Sequence, residues 1–107
     1  MARTPDTELN QLATELGENL RTRGQMLVTA ESCTGGWVSM LLTSLPGSSA
    51  WFERGYVTYS NAAKVELLGV PSALLDAVGA VHEDTAQAMA AGALKNSHAQ
   101  AALAITG

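Results

Sequence analysis

The stretch Met26-Leu27-Val28-Thr29-Ala30-Glu31-Ser32-Cys33-Thr34-Gly35-Gly36-Trp37 decides how the chain folds. Its first five residues are apolar or β-branched and predict a buried strand. From Trp37 to Leu45 apolar residues recur at helical spacing. Glu31 to Gly36 is therefore a strand-to-helix turn that carries a hydroxyl, a thiol, a second hydroxyl and two glycines. In an open α/β sheet such a corner binds ligands, because the following helix directs free N–H groups and its positive end toward them.

Outward from this turn the pattern alternates between helix and strand. Upstream, Leu9, Leu12, Ala13, Leu16 and Leu20 define a helix with one apolar face, capped by Thr4, with Pro5 in the first turn and a stop at Gly24. Downstream, Pro46-Gly47-Ser48-Ser49 is a turn, and Trp51 and Phe52 cover the core. Arg54 to Tyr59 reads as a strand, with Val57 and Tyr59 on one face and Tyr56 and Thr58 on the other. Ser60 or Asn61 caps the next helix, which Gly69-Val70-Pro71 breaks after Leu68. A short helix capped by Ser72 runs through Val78. A longer one spans about Glu83 to Asn96, with Ala86, Met89, Ala90, Ala93 and Leu94 inward. Ala101 to Thr106 is a third strand. The order predicts an α/β fold. Three strands are few for so many helices, and the chain stops at a strand end, where a ligand-binding loop begins in such folds. The expectation is a single domain, 1–107, incomplete at its C-terminus.

Composition narrows the function classes. A chain of 107 residues, 47% hydrophobic and 15% charged, is globular rather than disordered. Six basic against ten acidic residues, net charge −4, argue against nucleic acid as a partner. No apolar run approaches the ~20 residues that span a bilayer, so no membrane association is expected. Met1 to Asp6 has no signal-peptide pattern, and the one cysteine cannot form an internal disulfide. A soluble cytoplasmic protein is expected. His82-Glu83-Asp84 lacks a second ligand set at zinc spacing, and Gly35-Gly36 is neither a P-loop nor a dinucleotide fingerprint. No metal or cofactor is expected.

The turn offers rival nucleophiles. Ser32 can present its hydroxyl outward while Gly35 and Gly36 let a substrate approach backbone N–H groups. Ser32 or Thr34 can equally serve only as a helix cap. Cys33 is a second nucleophile, and a helix N-terminus lowers a thiol pKa. It needs a histidine, and His82, at a helix start, and His98, in a polar loop, are poorly placed. A serine needs a base. If Asn61 caps its helix, Lys64 falls in the first turn, where the helix dipole and burial both depress a lysine pKa. A solvent-facing Lys64 is the plainer alternative. Tyr59 can line the same site or simply pack.

Longer motifs carry more. Ala30-Glu31-Ser32-Cys33-Thr34-Gly35-Gly36, Pro46-Gly47-Ser48-Ser49-Ala50, Val57-Thr58-Tyr59-Ser60-Asn61-Ala62-Ala63-Lys64, Leu68-Gly69-Val70, Gly79-Ala80-Val81 and Ala104-Ile105-Thr106-Gly107 occur in that order. The series resembles the C-terminal domain of the CinA family in its stand-alone form, from Leu9 onward. The resemblance implies a three-layer α/β/α fold with a mixed sheet. It implies an amidohydrolase that converts nicotinamide mononucleotide to nicotinate mononucleotide and ammonia, in pyridine-nucleotide salvage, without a metal. Carried over by motif, Ser32 is the nucleophile and Lys64 the base. Tyr59, two residues before the Asn61 helix start, is a further candidate catalytic residue. Cys33, Thr34, Gly35, Gly36, Ser48, Asn61, Thr106 and Gly107 are the candidate substrate contacts. The family continues past Gly107 into a glycine- and proline-rich loop, a strand and a helix. His82 stands where relatives carry a serine cap. Oxyanion binding is expected from backbone N–H groups between Cys33 and Gly36. Small-molecule substrate is the expected partner, and homo-oligomer formation stays open. The alternative is a non-catalytic nucleotide-binding or assembly domain.

Overall fold

The computed structural model describes residues 4–107. Helix α1 (Thr4–Thr22) leads into strand β1 (Leu27–Glu31), helix α2 (Trp37–Thr43) and a 3-10 turn (Ser48–Ala50). Strand β2 (Phe52–Val57), helices α3 (Asn61–Leu68), α4 (Ser72–Val78) and α5 (Glu83–Lys95), and strand β3 (Ala101–Ile105) complete it. The predicted elements are all present, with boundaries moved by at most two residues. The cap expected at Thr4 lies outside the described side chains.

The sheet has the order β2-β1-β3, and both pairings are parallel. The mixed character implied by the resemblance is therefore absent from these three strands. As the middle strand β1 is covered on both faces, and all five of its residues are buried. Its alternating side chains serve two cores. Leu27 packs with Ala13, Leu20, Leu42 and Trp51 under α1 and α2. Val28 and Ala30 pack with Leu68, Val70, Leu75, Met89 and Ala93 under α3, α4 and α5. One sheet between two helical layers is the three-layer α/β/α arrangement.

Small residues set the spacing of the lower layer. A Cβ on Gly92 of α5 would fall on the Leu68 carbonyl, so α3 and α5 touch backbone to backbone there. Buried Thr85, Met89, Gly92 and Ala93 form the inner face of α5. The expectation of Leu94 inward is corrected: it is partly exposed, since Gly92 and Ala93 take the closest approach. Leu12, placed on the α1 apolar face from spacing, also points outward. Ser72 is the first residue of α4 rather than its cap, which is Pro71, without a side-chain bond. His82 does cap α5: its Nδ1 accepts from Asp84 N at 3.0 Å, as a serine oxygen would.

Parallel pairing brings the C-terminal ends of all three strands to one edge. Thr58 N donates to Glu31 O and Ser32 N to Ile105 O, which extends the ladders one residue past each strand end. Ser32 thus sits between the β2–α3 junction and the end of β3.

A serine and a lysine joined across two turns

Ser32 follows the central strand and is almost fully buried at 6% exposure. The turn after it needs left-handed backbone at Gly35 (φ 61°) and Gly36 (φ 104°), which side-chain-bearing residues adopt at a cost. Lys64 comes from the second strand-to-helix turn. Ser60 caps α3, its side chain accepting from Ala63 N, so Asn61 is the first helical residue and not the cap. Helical side chains lean toward the helix N-terminus. Lys64 therefore reaches back over the β2–α3 junction and is completely buried.

Its Nζ lies 2.8 Å from Ser32 Oγ, 2.9 Å from Thr58 O and 3.0 Å from Tyr59 O. Ser32 Oγ is also 3.3 Å from Tyr59 O. The two carbonyls can hold two lysine hydrogens, which leaves the third position of Nζ facing the serine hydroxyl. Burial pushes Lys64 below the usual lysine pKa, and negative charge on the nearby Cys33 sulfur would oppose that shift only in part. A neutral lysine amine at this distance can accept a proton from a serine hydroxyl. The solvent-facing alternative for Lys64 is excluded by its burial.

The other expected residues divide. Cys33 is exposed, and a Cβ on Gly107 would stand 3.4 Å from its sulfur, so these two lie side by side at the rim. Thr106 sits at the same edge, its hydroxyl donating to Ala80 O at 2.8 Å. Asn61 is exposed at the start of α3. Tyr59 enters through its carbonyl, whereas its ring is 73% exposed and does not pack. Ser48 is not brought in. It lies in the 3-10 turn before β2, at the N-terminal edge of the sheet, a strand length or roughly 17 Å from the dyad end. Concavities of about 470 Å³ between α3 and α5, and between α1 and the 3-10 turn, include neither Ser32 nor Lys64.

The amides of the turn also divide. Gly35 N donates to Ser32 O and Trp37 N to Thr34 O. Gly36 N donates to a Glu31 carboxylate oxygen. Among the described residues only Cys33 N and Thr34 N in this segment have no intramolecular acceptor. Of the N–H groups between Cys33 and Gly36 expected to bind an oxyanion, those of Gly35 and Gly36 are therefore already engaged. Glu31 is the residue that sequence reasoning passed over. Its signal was a carboxylate ending a buried strand just before a helix with no acidic residue in its first turn.

Residues 9–107 match the family model described as the CinA C-terminal domain. The chain is 52% identical over 102 residues to the nicotinamide-nucleotide amidohydrolase PncC of Escherichia coli K12, covering 95% of this chain and 62% of that one. A CinA-like protein of Chloroherpeton thalassium is 52% identical over 96 residues, which are 23% of its length. A CinA superfamily crystal structure from Escherichia coli superposes with TM-score 0.92 at 36% identity, over all of this chain and 61% of that one. The chain thus spans about three fifths of the stand-alone relatives it matches.

Proposed function

This chain belongs to the CinA C-terminal domain family, and from that premise we propose that it is the nucleophile-bearing part of an amidohydrolase acting on nicotinamide mononucleotide. The observation that carries the reading is the buried Lys64 Nζ set 2.8 Å from Ser32 Oγ. The 52% identity to a nicotinamide-nucleotide amidohydrolase supports the choice of a carboxamide substrate.

In this mechanism Ser32 Oγ attacks the carboxamide carbon and its proton passes to neutral Lys64. The oxyanion is held by the N–H groups of Cys33 and Thr34. Lys64 returns the proton to the departing nitrogen, and ammonia leaves an ester on Ser32. Water then attacks that ester, Lys64 takes and returns a proton, and nicotinate mononucleotide is released. The exposed Tyr59 and Asn61 and the Thr106–Gly107 rim are the candidate substrate contacts in this reading.

The test is product analysis of the full-length protein incubated with nicotinamide mononucleotide. Equimolar ammonia and nicotinate mononucleotide are expected. Tight binding with no product would instead favour a nucleotide-binding or assembly domain.

A further inference from the structure

Glu31 is a fully buried carboxylate whose partners are all neutral donors. One oxygen accepts from Thr34 Oγ1 at 2.6 Å, Gly36 N at 3.2 Å and Val38 N at 2.9 Å. The other accepts from Ser39 N at 2.8 Å and Ser39 Oγ at 2.6 Å. Helix α2 has a glycine at its cap position, with no side chain to satisfy its first N–H groups. Glu31 does so from the end of the preceding strand. Its charge sits at the positive end of the helix, which offsets the cost of burying it.

The support extends into the sheet. Ser39 gives its one hydroxyl proton to Glu31, so at 2.7 Å Thr29 Oγ1 must be the donor to Ser39 Oγ. A Cβ on Gly55 of β2 would stand 2.7 Å from both hydroxyls, so the neighbouring strand walls in this chain of bonds. Glu31 therefore grips the turn at Thr34 and Gly36 and the helix at Val38 and Ser39, on either side of Gly35. With those amides taken, Cys33 N and Thr34 N are what remains.

We propose that Glu31 is the positioning residue of the site: its carboxylate occupies the start of α2 and holds the Ser32–Gly36 turn so that Cys33 and Thr34 N–H receive the oxyanion. The oxyanion clause rests on the amidase reading, and the placement of Glu31 does not.

Two measurements on the full-length protein test this. The first is amide hydrogen exchange, which needs no turnover. Gly36, Val38 and Ser39 are expected to exchange slowly and Cys33 and Thr34 fast, and Glu31→Gln should speed the first three. Equal exchange across the five amides in the wild type would overturn the proposal. The second is the split between kcat and KM. Glutamine puts an N–H₂ donor against the Ser39 donors, so Glu31→Gln should lower kcat roughly 100-fold with KM changed less than about threefold. Thr34→Val, which removes one donor and leaves the other four, should lower kcat about tenfold, and it serves if Glu31→Gln does not fold. An unchanged kcat in either folded variant would overturn the positioning role. A wild type that releases no ammonia would sink the amidase reading, while the exchange pattern would still decide where Glu31 acts.

Discussion

At the scale of residues, the behaviour of Lys64 follows from its burial. Its folded pKa is depressed, so the amine becomes neutral at a lower pH than the roughly 10.4 of free lysine. If the neutral form is the base, kcat/KM should rise with pH through that lowered value and level off before pH ~10.4. An alkaline limb at the ordinary lysine value would contradict this. Stability should carry the same sign. Between the folded and unfolded pKa values the unfolded chain binds more protons, so Lys64 costs less stability as pH rises through that window. The unfolding free energy of wild type should therefore gain on that of Lys64→Met between neutral and pH 10, measured by denaturant titration. Glu31 behaves oppositely. Burial raises its pKa, but the bonds from Ser39, Thr34 and the Val38 and Ser39 amides outweigh burial and leave it lowered. Its contribution is present above roughly pH 4.3 and is lost as pH falls through the lowered value. Ser32 and Lys64 could be singled out as candidates because each lies in a longer motif at a strand-to-helix turn. Glu31 was not, because a strand-end glutamate reveals its role only when the turn folds back over it.

At the scale of elements, apolar spacing together with cap and breaker residues located the α-helices and strands of the described residues, and the errors of spacing have a common cause. Leu12 and Leu94 fit the apolar spacing of their helices, yet glycines and alanines make the closest contacts and turn those leucines outward. Spacing registers hydrophobicity and misses close approach. Gly92→Ala should therefore destabilise the protein by about 1–3 kcal/mol, because its methyl meets the Leu68 carbonyl rather than a movable side chain. Thermal unfolding would read this as a fall of roughly 4–8 °C per kcal/mol, and an unchanged midpoint would refute the backbone contact. The His82 cap was readable only as a departure from serine, and the geometry supplies its physical content. His82→Ser should keep the melting temperature, whereas His82→Ala should cost about 1 kcal/mol.

At the scale of the molecule, three parallel strands end at one edge and so bring together segments 32 positions apart. The α/β class was legible from element order, but strand order was not, because nothing local in β1 tells that β2 and β3 flank it. That is also why Ser48, adjacent in motif order, was expected at the site and lies at the opposite edge. Within residues 4–107 both β2 and β3 are edge strands, and Leu103 of β3 is 38% exposed. The 107-residue chain should associate with rising concentration, and Leu103→Lys should reduce that association in light scattering, as charge on an edge strand blocks pairing. This topology assembles the Ser32–Lys64 pair proposed as nucleophile and base. The most direct test of that proposal is ammonia release from nicotinamide mononucleotide by full-length wild type, Ser32→Ala, Lys64→Ala and Cys33→Ser, measured side by side. Losses of roughly 1,000-fold or more are expected in the first two variants and retained activity in the third. Wild-type turnover in Ser32→Ala or Lys64→Ala, or its loss in Cys33→Ser alone, would contradict the proposal.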